Sequence, residues 1–147
     1  MDKLTPEQCQ AIIDYSHDWQ IAELTMKDGS LMSNLSKRTF KQADFSVWGN
    51  QYLAVLKERV TKYEVGDFCS EHIDNAWRMI NPRYYAHAVW ITPLNDNYEG
   101  GELYFDGELI EQVVGVPIKR LRTTRHEIKE VTKNTRYSLV SWVFKEL

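Results

Sequence analysis

The stretch Glu99-Gly-Gly-Glu-Leu-Tyr-Phe-Asp-Gly-Glu-Leu-Ile110 decides the fold. Two short apolar runs flank Asp106-Gly107, a dipeptide that tolerates the positive φ angles of a tight hairpin turn. The same texture continues on both sides. From Tyr63 onward, β-rich runs fall at 84–92, 102–105, 108–114, 126–131 and 135–144, punctuated by Gly66, Gly100-Gly101, Gly115 and Asn134. No helical crossover separates the late runs, which argues against a parallel α/β sheet. About eighty residues of short strands predict a small jelly roll.

The N-terminal part reads differently. Thr5 suits an N-cap, Pro6 the first helical position and Gln8 the third position of a capping box, so a helix follows, with Ile12, Ile13 and Tyr15 on its apolar side. Strands are predicted around 20–26 and 38–44. Trp48, Tyr52, Leu56 and Val60 recur every fourth residue, with Leu53 beside them, and predict a second helix from Asn50 to Lys62. The expected fold class is mainly β with N-terminal helices (α+β). Residues 1–62 form a helical buttress with edge strands, residues 63–147 form the barrel, and 1–147 make a single domain.

Composition agrees with one self-sufficient core. The chain has 147 residues, 43% of them hydrophobic and 27% charged, enough to fold without disulfides or a structural metal. A net charge of −3 argues against a general nucleic-acid or anionic-membrane surface. Cys9 and Cys69 make no disulfide framework and read as free thiols of a reducing compartment. The N-terminus lacks a secretory pattern, and no run approaches the roughly 18 apolar residues of a membrane span. A soluble, cytoplasmic protein is expected.

Two regions carry chemistry. In Glu71-His72-Ile73-Asp74, extended backbone directs His72 and Asp74 to one side. His126 follows 52 positions later. Two imidazoles and one carboxylate leave three positions of an octahedral ion open, as in the facial triad of non-haem Fe(II) oxygenases. In Thr135-Arg136-Tyr137-Ser138-Leu-Val-Ser-Trp142, alternation sets Arg136, Ser138, Val140 and Trp142 on one face. Both faces read as mostly buried. A buried guanidinium needs an anion, and the strand carries no acid to supply it. A bound dicarboxylate meets that need in a two-pronged geometry.

With these residues in place, the sequence resembles the 2-oxoglutarate/Fe(II)-dependent dioxygenases, within them the prolyl 4-hydroxylase-like branch. The residues that carry the likeness are Tyr63-x2-Gly66-x5-His72-x-Asp74, Pro93-Leu94-Asn95 with Gly100-Gly101-Glu102-Leu103, and His126-x9-Arg136-x-Ser138 with Trp142. They run in the family's order over residues 63–144. The resemblance implies a cupin-like double-stranded β-helix with Fe(II) held by His72, Asp74 and His126. It further implies 2-oxoglutarate bound by Arg136, with Ser138 as a second donor and the Tyr63 hydroxyl reaching the co-substrate. The same resemblance implies O2 as the oxidant and ascorbate as a supporting reductant. Co-substrate decarboxylation to succinate and CO2 is coupled to hydroxylation of an unactivated C–H bond. The implied acceptor is first a prolyl residue of a peptide or protein, with a free amino acid, another small metabolite or a nucleobase as alternatives. Nucleobase-acting members carry a second arginine on the strand of the first, and none follows Arg136. A non-catalytic jelly-roll binding module is the competing class.

Two departures from the pattern stand out. Val89 occupies a position where related hydroxylases often present a hydroxyl to the co-substrate. Lys119-Arg120-Leu121-Arg122-Thr-Thr-Arg125 is basic where an apolar strand is usual. This run reads first as a solvated face, otherwise as an attractor for an anionic substrate. His87 reads as an ordinary strand histidine, and His17 as a partner of the first helix's C-terminus. Trp142 reads as a packing residue of the barrel. With no separate substrate domain expected, recognition is expected to fall to the loops 75–83 and 95–101, with the basic run 119–125 as a further candidate.

Overall fold

The computed structural model describes residues 2–22, 24–25, 31–32, 36–42, 55–74 and 84–146. The order of elements is α1 (Pro6–Tyr15), β1 (Gln20–Ala22), β2 (Leu24–Thr25), β3 (Leu31–Met32), β4 (Ser36–Gln42), β5 (Val55–Tyr63), β6 (Phe68–His72) and β7 (Tyr84–Pro93). There follow β8 (Glu99–Gly100), β9 (Leu103–Phe105), β10 (Glu108–Ile110), β11 (Ile118–Leu121), β12 (His126–Ile128), β13 (Val131–Lys133) and β14 (Arg136–Glu146).

The main sheet runs β10-β9-β12-β6-β4-β5-β14-β7-β11, with β1 on β4, and its pairings are all antiparallel. Its order folds it into two walls. One wall is β5, β14, β7 and β11, and the other is β6, β12, β9 and β10. β4 joins them, pairing with β5 through Thr39–Gln42 and with β6 through Ser36 and Lys37. This is the jelly roll anticipated from the late strands. The Asp106-Gly107 turn connects β9 to β10 with Phe105 opposite Glu108, and both turn residues have positive φ (50° and 80°).

The first helix forms as read. The Thr5 side chain accepts from Gln8 N–H at 3.1 Å, and the Gln8 side chain accepts from Thr5 N–H at 2.8 Å. Helix α1 buries Cys9 and Ile12, with Leu4, against Val60 of β5, Leu139 of β14 and Leu94 just beyond β7. Gly115 allows this approach. Its φ is 81°, and a side chain there would run into the Leu4 carbonyl.

The second helix is corrected. Residues 55–62 of the expected 50–62 helix belong to strand β5, and 50–54 lie outside the described residues. The error has a physical source. A spacing of four is also twice two, so Leu56 and Val60 lie on one face of a strand as readily as on one face of a helix. Val55, Val60, Thr61 and Tyr63 are strand formers, and they side with the pleat. A single helix therefore buttresses the barrel among the described residues. The remaining strands shift more modestly. β10 ends at Ile110 instead of reaching 114, and the 126–131 run divides into β12 and the start of β13.

Candidate active site

His72 ends β6 and His126 begins β12, and the two are direct partners in the antiparallel register. Their ring centroids lie 4.1 Å apart. Asp74, two residues beyond His72, completes the group, and one ligand atom from each residue falls within 4.8 Å of the others. His72 Nε2 is 3.7 Å and His126 Nε2 3.5 Å from Asp74 Oδ1.

The tautomers follow from the backbone. His72 Nδ1 lies 2.8 Å from the Ser70 carbonyl, and His126 Nδ1 lies 2.9 Å from the Thr124 carbonyl. A carbonyl accepts only, so each Nδ1 carries the proton. Each Nε2 lone pair is then turned toward Asp74, as in metal-ligating histidines. Two nitrogens and a carboxylate oxygen facing one point are a donor set suited to a divalent first-row metal.

The charges are tightly balanced. Arg120 from β11 reaches Asp74 Oδ2 at 2.9 Å. Burial works to raise the Asp74 carboxyl, but Arg120, His126 and His72 together hold it below its ordinary value. Burial, then Arg120 and His72, push the His126 imidazole down to about 3. His72 moves the other way. Burial opposes its protonation, but its contact with Cys69, the Ser70 carbonyl and Asp74 prevail and raise it. Cys69 Sγ lies 3.6 Å from His72 Nδ1 and accepts from Arg38 Nη1 at 2.7 Å. Burial works to raise the Cys69 thiol, but His72 and Arg38 outweigh it and lower it.

Arg136 is buried, 1% exposed, at the start of β14 and opposite Tyr63. Its Nη1 donates to Ser138 Oγ (3.3 Å), its Nη2 to Gln112 Oε1 (2.8 Å), and its Nε has no hydrogen-bond partner. The guanidinium stands 5.2 Å from the centre of the Tyr63 ring. Gly101 makes room for it: φ is 67°, and a Cβ there would come 2.9 Å from Arg136 Cδ. Ser138 Oγ pairs with Thr61 Oγ1 at 2.6 Å. Burial pushes the Tyr63 hydroxyl up to about 12, keeping it a neutral donor. Tyr63, Thr61 and Ser138 line the cleft that holds His72, Asp74 and His126, and Ile91, Val140, Ile128 and Trp142 supply its apolar wall. Arg136 is not among the lining residues.

The basic run is corrected in part. Lys119 and Arg125 are exposed, but Arg120 is 6% exposed and faces inward on Asp74. Strand β11 alternates, and Arg120 lies opposite buried Val89. His17 Nδ1 lies 2.8 Å from the Tyr15 carbonyl just beyond α1, where the helix-terminus reading put it. The loop 95–101 is tied to the start of β14, Asn95 donating to the Thr135 carbonyl and accepting from Tyr137 N–H. Loop 75–83 and the His87 side chain lie outside the described residues. Sequence reading missed Arg120, Gln112, Cys69, Arg38 and Arg59. Inward parity on β11 signals Arg120 once the strand is recognised, whereas Gln112 has no local signal.

The fold and the donor set define a double-stranded β-helix of the kind used by 2-oxoglutarate/Fe(II) oxygenases. Comparison with known proteins agrees. The chain is 32% identical over 99 residues to a PKHD-type hydroxylase of Delftia acidovorans, covering 61% of this chain and 44% of that protein. It is 31% identical over 91 residues to a PKHD-type hydroxylase of Gloeothece citriformis, covering 56% and 40%. It thus spans less than half the length of the curated relatives it matches. Among solved structures, the viral collagen prolyl hydroxylase of Paramecium bursaria Chlorella virus-1, in complex with 2-oxoglutarate, superposes with a TM-score of 0.69. Identity is 15%, over 96% of this chain and 91% of that one. No protein-family signature matches the chain. The likeness read from the motifs recurs in the sequence relatives, and the solved structure shares the fold.

Proposed function

We propose that residues 1–147 form one 2-oxoglutarate/Fe(II)-dependent dioxygenase unit, with His72, Asp74 and His126 holding Fe(II) and Arg136, Ser138 and Tyr63 receiving 2-oxoglutarate. The acceptor is hydroxylated at an unactivated C–H bond, and a prolyl residue of a peptide or protein is the first candidate. The observation that carries this reading is the convergence of two Nε2 lone pairs and Asp74 Oδ1. Ferrous iron there supplies the O2 chemistry that couples co-substrate decarboxylation to hydroxylation, with ascorbate as a supporting reductant.

The chain's own groups prepare the site. The Ser70 and Thr124 carbonyls orient the imidazoles, and Arg120 engages one Asp74 oxygen so that the other faces the histidines. The Arg136 guanidinium, buried without a carboxylate hydrogen-bonded to it among the described residues, attracts the distal carboxylate of the co-substrate. Ile91, Val140 and Trp142 exclude water from the reacting centre. Two buried free thiols support a reducing, cytoplasmic setting.

Anaerobic addition of Fe(II) and 2-oxoglutarate is expected to give the weak visible absorption of the chelate, and His72→Ala to abolish it. A folded, metal-loaded protein without that band would defeat the assignment. Metal binding without succinate formation, even uncoupled, would favour the non-catalytic module. A mass gain of one oxygen on a prolyl peptide would identify the acceptor.

A further inference from the structure

One half-buried cation in the cleft has no counterpart in this scheme. Arg59, on β5, lines the cleft with His72, Asp74 and His126. Its guanidinium lies over two rings, 4.8 Å from the centre of Phe40 and 4.6 Å from that of Trp142. Its Nε is buried without a hydrogen-bond partner. A second guanidinium, that of Arg38, lines the same cleft and is bonded to Cys69. The single carboxylate among the described lining residues is Asp74, already shared by Arg120 and the two histidines. Aromatic faces hold a guanidinium in place but leave its N–H edge free to bind an anion. A desolvated cation beside a second cation, and beside a divalent metal when one is bound, calls for an anionic ligand.

The co-substrate does not meet this demand if Arg136 takes its distal carboxylate. Arg136 lies opposite Tyr63 in the ladder and Arg59 opposite Val140. Four residues of strand separate the two backbone positions by roughly 13 Å, about twice the 6 Å or so between the carboxylates of a five-carbon diacid, and the Arg59→Gln readout below tells the two assignments apart.

We propose that Arg59, with Arg38 beside it, is a subsite for a carboxylate carried by the acceptor. The acceptor is then a free amino acid or a C-terminal residue, and not an internal residue of a neutral peptide. This proposal rests on the dioxygenase reading and names the substrate class of that site. The positive charge also suits an acceptor that arrives as an anion in competition with water.

Three prolyl probes test it. L-Proline represents a free amino acid, N-acetyl-L-proline a C-terminal residue and N-acetyl-L-prolinamide an internal one. Each is titrated calorimetrically into the full chain loaded with Mn(II) and 2-oxoglutarate under nitrogen. At least one acid is expected to bind about tenfold or more tighter than the amide, the scale of one charge-assisted contact. Arg59→Gln is expected to erase that difference and Arg59→Lys to restore part of it. L-Proline binding alone assigns a free amino acid, and N-acetyl-L-proline binding a terminal residue. Equal binding of acid and amide, or no binding by either acid, overturns the proposal. So does an Arg59→Gln protein that retains the acid preference while losing 2-oxoglutarate affinity, which would assign the arginine to the co-substrate. Succinate formation is measured separately. Acid-selective binding without any succinate would sink the dioxygenase reading and leave the carboxylate subsite standing. Succinate formation without selectivity does the reverse.

Discussion

At the scale of single residues, the site is a set of charges that hold one another in place. Arg120 and Asp74 form the pair on which the others lean. Arg120→Gln leaves the Asp74 carboxylate half-buried without its cation. Because Asp74 keeps some contact with solvent, the metal-free protein is expected to lose about 1–3 kcal/mol. A bound divalent cation replaces the missing charge, so thermal melting with Mn(II) should recover most of the loss; equal losses with and without metal would contradict this. His126 adds a pH dependence. Its folded value of about 3 lies below the ordinary 6.5, so the unfolded chain binds the extra proton first as pH falls. Metal-free stability is expected to decline from about pH 6.5 toward 3, with this residue contributing up to about 1.4 kcal/mol per pH unit. Asp74, held low, adds its own loss further into acid. His72, raised, acts oppositely and gives up stability as pH climbs through its folded value. Denaturant titrations of wild type and His126→Gln across this range measure the difference. The triad was legible because His-x-Asp is local and His126 precedes Arg136 at a recognisable spacing. The pairing of Arg120 with Asp74 was not, because it joins residues 46 positions apart across two walls.

At the scale of elements, local chemistry and long-range pairing can be separated. Helix α1 was legible to its caps, and Thr5→Ala is expected to cost about 1 kcal/mol, read by denaturant unfolding. Strand β5 was illegible because the four-residue spacing of its apolar positions suits both kinds of structure, and the arginine it points inward was lost with it. Gly101 shows how an element's end serves the site. Alanine there must adopt a positive φ and press on Arg136 Cδ. Gly101→Ala is expected to cost about 1 kcal/mol or more of stability and to weaken 2-oxoglutarate binding, read from the chelate absorption. Unchanged co-substrate affinity would show that Arg136 does not need that space.

At the scale of the whole molecule, the ladder order sets where the protein is firm. β14 is hydrogen-bonded along both sides, by β5 and β7, whereas β10 and β11 end the sheet. Amide exchange is expected to be slowest in β14 and fastest in β10 and β11. His72 and His126 sit on neighbouring interior strands, so their separation is set by a ladder and not by a loop. The two end strands instead border a cleft of about 520 Å3, lined by Glu108 and Ile110 on one side and by Lys119 and Leu121 on the other. The Arg120–Asp74 pair spans from one wall to the other. The two walls meet along β4, and that ion pair ties one to the other a second time. A cation seated among the three donors would take Asp74 Oδ1, the oxygen that faces the two histidines, while Arg120 keeps Oδ2. One carboxylate would then fasten both walls to the metal, and the ladder would keep the spacing of the two imidazoles.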